Sequence, residues 1–431
     1  MRAPASSGQL VRGFGLWGLG ALILNGIIGA GVFALPGSVA QFAGSWAPLA
    51  ILGVGLAFLP VVLVFAALAG LFDETGGPII YVREAFGTTA GFQTGWVQCL
   101  ATTAASAANA NVLADYMLRM LPAAQNAALA HGAVVLLAIG LAFAVNLLEI
   151  RNSDRWIKLI TVAKLTPLVL LVALALPALA SGPALLPAGE WSLAQAILLS
   201  VYAFTGFEGA LCLGGEARDP QRDFPRALVA VFLFTVTLYS ALAWSYVATA
   251  YAPGPADKAS LLTMGTVLAG GIGAAAIITA AVFSILGNII TTPMNTSRRL
   301  LALEQIGMLP RWFGVIHAGS GIPRNAVVFT YAVAALLALS GGFAALAVLS
   351  VAARLVVYLA CAAALPVVRR RRGMPVPARL IVIVAAALAI GLLLIAQSDL
   401  KAWAALALAI SIGFAIKGVA APAAKRGAVG R

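Results

Sequence analysis

The stretch Asn25-Gly-Ile-Ile-Gly-Ala-Gly31 places three glycines within six residues near the middle of a long apolar segment. A second stretch, Phe204-Thr-Gly-Phe-Glu-Gly209, interrupts another apolar segment at a similar depth. A glycine costs a helix about 1 kcal/mol relative to alanine, so each stretch is a place where a helix can unwind. We therefore predict two broken helices whose breaks lie at corresponding positions.

The chain around these stretches is too apolar for a water-soluble domain. It has 431 residues, of which 62% are hydrophobic and 10% are charged, and its mean hydropathy is +1.01. Runs of about 18 or more apolar residues are long enough to cross a bilayer as helices. They lack the alternation of polar and apolar residues that barrel strands show. The sequence therefore predicts an all-α integral membrane protein.

Apolar runs separated by charged or Pro/Gly-rich segments predict twelve transmembrane helices. Residues 14–176 contain the first five, residues 192–367 the next five, and residues 379–418 contain helices 11 and 12. Because five spans separate the two breaks, the second unit has the opposite polarity, which predicts a five-plus-five inverted-repeat core with both breaks at mid-membrane. The predicted spans are 14–42, 46–71, 90–120, 131–148, 156–176, 192–214, 226–250, 264–296, 323–341, 343–367, 379–396 and 401–418.

The net charge of +13 follows this topology and does not indicate a nucleic-acid partner. Most of the 27 Lys and Arg residues fall on the N-terminal side of the membrane, including Arg298 and Arg299 in the segment after span 8. The segments on the opposite side carry Arg119, Lys258 and Lys401. The positive-inside rule therefore predicts a multi-pass cell-membrane protein with both termini, residues 1–13 and the basic residues 419–431, in the cytoplasm.

The reactive side chains give little support to an enzyme. Cys99, Cys212 and Cys361 lie in apolar runs without a CxxC spacing, which favours packing over disulfides or metal binding. The two histidines, His131 and His317, lie near loops, and the sequence contains neither an HExxH motif nor a nucleophile elbow. We expect no enzyme activity, no metal or other cofactor, and no obligate partner subunit.

Unwinding at the two breaks frees backbone groups of both polarities. Amides at the start of the following half-helix attract an anion, and carbonyls at the end of the preceding half-helix attract a cation. An α-amino acid carries this pair of charges, so we predict that the breaks bind one. The alternative is that the glycines only permit close packing of helices. The predicted substrate-binding residues are Ile27, Gly29, Ala30, Gly31, Tyr202, Phe204, Thr205 and Gly206.

Residues in and beyond the breaks are similar to those of a known superfamily of permeases. The segment 25–36 resembles the glycine-rich, carboxylate-binding break of the amino acid–polyamine–organocation superfamily, with Ala30 where many members have serine. Similar motifs follow spans 2, 6 and 8, at 76–87 with 95–96, at 216–226, and at 297–298 with 307–310. The resemblance covers residues 14–367. It implies the five-plus-five fold, an amino acid or related amine as substrate, membrane lipid as surroundings, and alternating access.

The resemblance also implies that an aromatic side chain of the sixth span covers the bound substrate. Tyr202 and Phe204 both stand in that region. Either side chain can instead belong to the hydrophobic core.

Lys164 is a candidate coupling residue because it lies about two turns into span 5. A lysine at that depth must be paired, hydrated or deprotonated. In sodium-independent members of the superfamily, a lysine in a similar Val-Ala-Lys context stands where related carriers bind sodium. We therefore predict sodium-independent transport, coupled to protons or to exchange. The alternative is that Lys164 snorkels to the cytoplasmic interface.

Other polar residues within the spans leave several alternatives open. Glu208 can carry a second proton, cap freed amides in the second break, or do both. Asn109 and Asn288 either line the cavity or join helices by hydrogen bonds, and Arg354 is either a gate residue or half of an ion pair. The lack of a strongly acidic pocket favours small neutral substrates, whereas Glu208 can receive a cationic side chain or polyamine. Two other functions remain open, an amino-acid or polyamine exporter or antiporter, and a non-transporting sensor or scaffold.

Overall fold

The computed structural model describes residues 15–74, 76–119, 128–147, 154–180, 187–188, 190–212, 218–316 and 322–428. The predicted N-terminal segment 1–13 and the last residues of the predicted tail 419–431 lie outside these ranges. In the described part, the all-helical prediction is confirmed, and β-type pairing is limited to an isolated bridge between Ile316 and Pro323. The helices are α1 (Leu16–Ile27), α2 (Gly31–Ala43), α3 (Ala47–Ala69), α4 (Pro78–Phe86), α5 (Thr88–Leu118), α6 (Ala128–Leu147), α7 (Asp154–Ala180), α8 (Leu193–Phe204), α9 (Glu208–Leu211), α10 (Pro220–Thr249), α11 (Ser260–Gln305), α12 (Arg324–Ser340), α13 (Phe343–Arg371), α14 (Ala378–Ala396) and α15 (Leu400–Ala428).

Both predicted breaks are present in the backbone. Helix α1 ends at Ile27 and α2 begins at Gly31, with Ile28 outside the helical region at φ −79° and ψ 83°. Helix α8 ends at Phe204, and the chain is extended at Thr205, with φ −88° and ψ 168°. Gly206 then has a φ of +109°, a conformation that glycine adopts without steric cost. The glycines therefore mark the places where the helices stop.

Nine helical segments in the described ranges are long and apolar enough to cross a membrane. One of them, Gly31–Ala69, joins α2 and α3 through a short 3₁₀ turn, and the apolar helices α1 and α12 are shorter than a full span. These lengths and compositions indicate a multi-pass integral membrane protein. The count of twelve spans and the repeat layout stay predictions.

Helix α5 corresponds to predicted span 3, but it is too polar to be counted among the nine candidate spans. It packs against α4, α6, α11, α12, α13 and α15, so its alanine, threonine and asparagine side chains face other helices. A helix enclosed by protein can carry polar residues that a lipid-facing helix cannot. This enclosure places the polar side chains of α5 next to the breaks.

Two helices continue beyond the ends of their predicted spans. Helix α11 continues to Gln305, beyond the predicted end at residue 296, and α13 continues to Arg371, beyond residue 367. Hydropathy marks the apolar part of a helix, whereas backbone hydrogen bonding continues through its charged last turns. The predicted start of span 8 also missed a kink at Ala269 and Gly270, which separates a short helical segment from the rest of α11.

Candidate substrate and coupling site

The two breaks meet through their backbones. A Cβ atom on Gly26 would lie 2.7 Å from the carbonyl oxygen of Gly206, and a Cβ on Gly206 would overlap the carbonyl oxygen of Gly26. The start of α2 is equally close to the end of α8, because a Cβ on Gly31 would lie 3.3 Å from the Cα of Ala203. Glycine is therefore required here by a close approach between the two broken helices.

A chain of hydrogen bonds lies beside the first break. The hydroxyl of Tyr202 donates to Oδ1 of Asn109 at 3.0 Å, and Nδ2 of Asn109 donates to Oδ1 of Asn288 at 2.7 Å. A Cβ on Gly29 would lie 3.2 Å from Nδ2 of Asn288 and 3.4 Å from Nδ2 of Asn109. The structure thus brings Gly29, Asn109, Tyr202 and Asn288 together from four different parts of the chain.

Some backbone groups that the sequence predicted to be free are already bonded. The Gly29 amide donates to the Ile27 carbonyl at 2.9 Å, and the Tyr202 carbonyl accepts from both the amide and the hydroxyl of Thr205, at 3.2 Å and 2.8 Å. Short turns at each break satisfy these groups locally. The amides of Ala30 and Gly31 stand at the start of α2, where first-turn amides have no acceptor within their own helix.

Lys164 points into the first break. Its side chain is buried, with 4% of the residue exposed, and Nζ donates to the carbonyl oxygen of Ile28 at 2.9 Å. The hydroxyl of Ser284 approaches the same carbonyl at 3.4 Å. The alternative in which Lys164 snorkels to the interface is therefore wrong, because the ammonium binds inside the protein.

Glu208 is held by three donors. Its Oε1 accepts from Arg354 in a direct ion pair, and its Oε2 accepts from the hydroxyl of Tyr358 at 2.9 Å and from the amide of Gly206 at 3.0 Å. Both charged side chains are buried, with 2% of Glu208 and 6% of Arg354 exposed. Hydrogen bonds to the charged form stabilise an ionised carboxylate. Glu208 thus caps an amide of the second break, as one predicted alternative held, and Arg354 is half of an ion pair.

The two aromatic candidates of the sixth span lie in different surroundings. Tyr202 is next to the first break, with its ring 5.5 Å from that of Phe343. Phe204 has no exposed surface and packs against the rings of Phe232 and Tyr239 on α10. Of the two, Tyr202 is placed to contact a substrate at the breaks, and Phe204 belongs to the core.

Sequence reasoning missed Tyr358 and the burial of Arg299. Tyr358 follows Arg354 by one helical turn, and this spacing could have revealed that the two side chains share a face. Arg299 was assigned to a segment outside the membrane, but it lies within α11 with 7% of its surface exposed. A cavity of 480 Å³ lies away from these groups, among mainly apolar residues of α4, α5, α13 and α15.

Comparisons with known proteins agree with the geometry. A family model described as amino acid permease matches residues 14–416. An uncharacterised transporter of Mycobacterium bovis is 30% identical over 340 residues, which cover 77% of this chain and 74% of the relative. A glutamate/serine transporter of Bacillus subtilis is 28% identical over 81% of this chain and 70% of its own. An arginine/ornithine antiporter of Lactococcus lactis is 24% identical over 74% of this chain and 67% of its own.

Proposed function

Because the chain belongs to the amino acid permease family of the amino acid–polyamine–organocation superfamily, we propose that it is a secondary active transporter that moves an amino acid by alternating access. The observation that carries this proposal is the contact between Gly26 and Gly206, which joins two helix breaks inside a membrane protein. Broken helices are tolerated at membrane depth only where they face protein or a cavity, and in transporters they form the substrate site.

The substrate site is proposed at the start of α2 and the end of α8. First-turn amides at Ala30 and Gly31 offer hydrogen bonds to a carboxylate, with the helix dipole adding a positive potential. Tyr202, Asn109 and Asn288 offer polar atoms on the facing side, at the hydrogen-bonded distances given above. Ala30 supplies no hydroxyl, so recognition of the carboxylate rests on the backbone. The substrate ammonium is proposed to bind carbonyl oxygens near Ile27 and Thr205.

The proposed coupling residue is Lys164. Its ammonium donates to the carbonyl oxygen of Ile28. Backbone carbonyl oxygens also coordinate metal cations, so a charged Lys164 and a bound cation would compete for this oxygen. Loss of the proton would replace a charge-assisted hydrogen bond by a weaker neutral one and so loosen the first break. This supports sodium-independent transport coupled to protons or to exchange. Glu208, in contrast, is proposed to hold the second break through its bonds to the Gly206 amide and Arg354.

We keep the twelve-span arrangement as part of the proposal. Residues 14–176 and 192–367 would form the two inverted units, with the N-terminus and C-terminus in the cytoplasm. The distribution of basic residues supports this orientation. The named relatives include a transporter and an antiporter, so export or exchange of an amino acid or polyamine on the same fold is the alternative direction.

Uptake into proteoliposomes tests the proposal. Radiolabelled L-serine, L-glutamate, L-arginine and L-ornithine would be offered with and without a pH gradient, with and without internal unlabelled amino acid, and with sodium replaced by choline. We expect uptake or exchange of at least one amino acid that persists in choline. Strict dependence on sodium would contradict the coupling proposal, and binding without flux would favour the sensor or scaffold alternative.

A further inference from the structure

Arg299 is a buried cation without an acidic partner. It lies on α11 with 7% of the residue exposed, and its Nη1 atom has no hydrogen-bond partner. In the described part of the chain no carboxylate forms an ion pair with it. A buried charge is costly unless it is paired. Glu208 attracts the Arg299 guanidinium electrostatically, but its direct ion pair is with Arg354, so the described residues supply no carboxylate that pairs with Arg299 itself.

Gln98 of α5 is a second unsatisfied group, one helical turn before Thr102, whose hydroxyl meets that of Thr296 on α11. It is 1% exposed, and neither its Oε1 nor its Nε2 atom has a hydrogen-bond partner. The adjacent Cys99 and the thiol of Cys212 at the end of α9 both interact with the Arg299 guanidinium. Together, α5 and α11 contribute an amide and a guanidinium whose Oε1, Nε2 and Nη1 atoms have no hydrogen-bond partner, and neither group carries a negative charge.

The buried charges do not balance. The charged side chains classed as buried in the described ranges are Lys164, Glu208, Arg299 and Arg354. Glu208 is the one carboxylate among them, and it forms an ion pair with Arg354. Among the described residues, the balance at Arg299 therefore lacks one anion.

A polar stripe connects this spot to the breaks. Asn288, Thr292, Thr296 and Arg299 follow one another on α11 at intervals of four, four and three residues, the spacing that keeps side chains on one helix face. The Thr296 hydroxyl lies 2.8 Å from that of Thr102 on α5, and Asn288 bonds to α5 at the other end of the stripe. At 1.5 Å per residue, Arg299 lies about 16 Å from Asn288 along the helix.

We propose that Arg299 and Gln98 form a second anion-binding site, which takes the carboxylate of the transported amino acid between the breaks and the basic side of the membrane. This inference rests on the proposed function, because transport of an amino acid supplies both the carboxylate and the path by which it reaches Arg299. Guanidinium is the side-chain group that best matches a carboxylate, through two parallel hydrogen bonds. The half-buried thiol of Cys212, which interacts with the Arg299 guanidinium, is a chemical reporter for the site.

The charge preference of a reaction at Cys212 tests the anion site. In a Cys99→Ala/Cys361→Ala background, the rate of modification of Cys212 would be measured with an anionic and a cationic methanethiosulfonate reagent. We expect the anionic reagent to be favoured, and Arg299→Gln to lower the anionic-to-cationic rate ratio by about tenfold or more. Arg299→Lys should keep the preference. Arg298→Gln, an exposed neighbour on the same helix, is the matched control and should leave the ratio unchanged.

Protection of the same thiol identifies the ligand chemistry. Acetate and L-serine should slow modification by the uncharged reagent N-ethylmaleimide, methylamine should not, and Arg299→Gln should remove the protection. Equal rates for the two charged reagents, or protection that survives Arg299→Gln, would overturn the anion site even if amino-acid flux is found. If the protein shows the charge preference and the acetate protection but neither flux nor exchange, the transport function is overturned and the anion site is supported.

Discussion

The carbonyl oxygen of Gly26 occupies the space in which a side chain on Gly206 would begin. This contact joins the end of α1 to the break that follows α8, through bare backbone on both sides. Inside a membrane, unwound backbone must face protein or water because lipid offers no hydrogen bonds. Each break thus lies against the other, and a movement of α1 relative to α8 would change both of them at once.

Gly206→Ala is expected to disrupt this contact. Its φ of +109° is strained for any residue with a side chain, at a cost of order 1–3 kcal/mol, and the new methyl group would overlap Gly26. We expect a lower melting temperature of the purified protein and loss of amino-acid uptake. Thermal unfolding in detergent and proteoliposome flux would measure the two effects.

Gly209→Ala is the matched control for that substitution. Gly209 lies in α9, three residues further on, and a Cβ there would meet no atom within 4 Å. Because alanine favours a helix over glycine, the variant should be as stable as the wild type or more stable by up to about 1 kcal/mol. If both alanine variants behave alike, the backbone contact is not required.

The sequence predicted where the two helix breaks lie, but it did not predict which distant residues contact each other there. Glycine spacing located both breaks, since the tendency of a helix to unwind depends on neighbouring residues. The partner of Glu208 lies 146 residues away on another helix, and no local pattern encodes such a distance. The burial of Arg299 was not predicted, because the positive-inside rule counts charges along the chain and carries no information on which side chains pack inside the protein.

Lys164→Met is expected to remove the dependence of transport on the pH gradient. The ammonium donates a charge-assisted hydrogen bond to Ile28, an interaction worth about 1.5–3 kcal/mol, so the variant should lose about tenfold or more in pH-driven accumulation. Initial uptake rates across a series of external pH values would show this. Lys401→Met, at the exposed start of α15, is the control and should follow the wild-type profile. A wild-type pH profile for Lys164→Met would contradict the coupling proposal.

Tyr202→Phe and Phe204→Leu should separate binding from packing. Loss of the Tyr202 hydroxyl leaves Asn109 without one of its donors, so we expect the KM for the amino acid to rise about tenfold while the melting temperature changes little. Phe204→Leu, in the core, should lower stability by about 1 kcal/mol and leave KM near the wild-type value. The reverse pattern would mean that Phe204 is the aromatic residue at the substrate.

The Glu208–Arg354 pair should behave as one unit. Removing either partner leaves a buried charge alone, so Glu208→Gln and Arg354→Met should each destabilise the protein by about 3–5 kcal/mol. The double variant buries no unpaired charge and should lose less than the sum of the two single losses. Tyr358→Phe, which removes one hydrogen bond to the carboxylate, should cost about 1–3 kcal/mol. Additive losses in unfolding experiments would show that the ion pair is not coupled.

The Glu84–Arg372 pair makes stability depend on acidic pH, at a place outside the membrane spans. Nε and Nη2 of Arg372 donate to the two carboxylate oxygens of Glu84 at 2.8 Å and 2.7 Å, and this hydrogen bonding lowers the pKa of Glu84 from its ordinary value of 4.5. A lowered folded-state pKa stabilises the fold above the unfolded-state pKa, and that stability is lost as the pH falls through the folded-state value. The melting temperature of the wild type should therefore fall more steeply than that of Glu84→Gln between about pH 5 and about pH 3, with Arg372→Gln matching Glu84→Gln. Identical pH profiles for all three proteins would show that the pair does not stabilise the fold. High salt should reduce the difference in pH dependence between the wild type and the variants, because both side chains are about a third exposed.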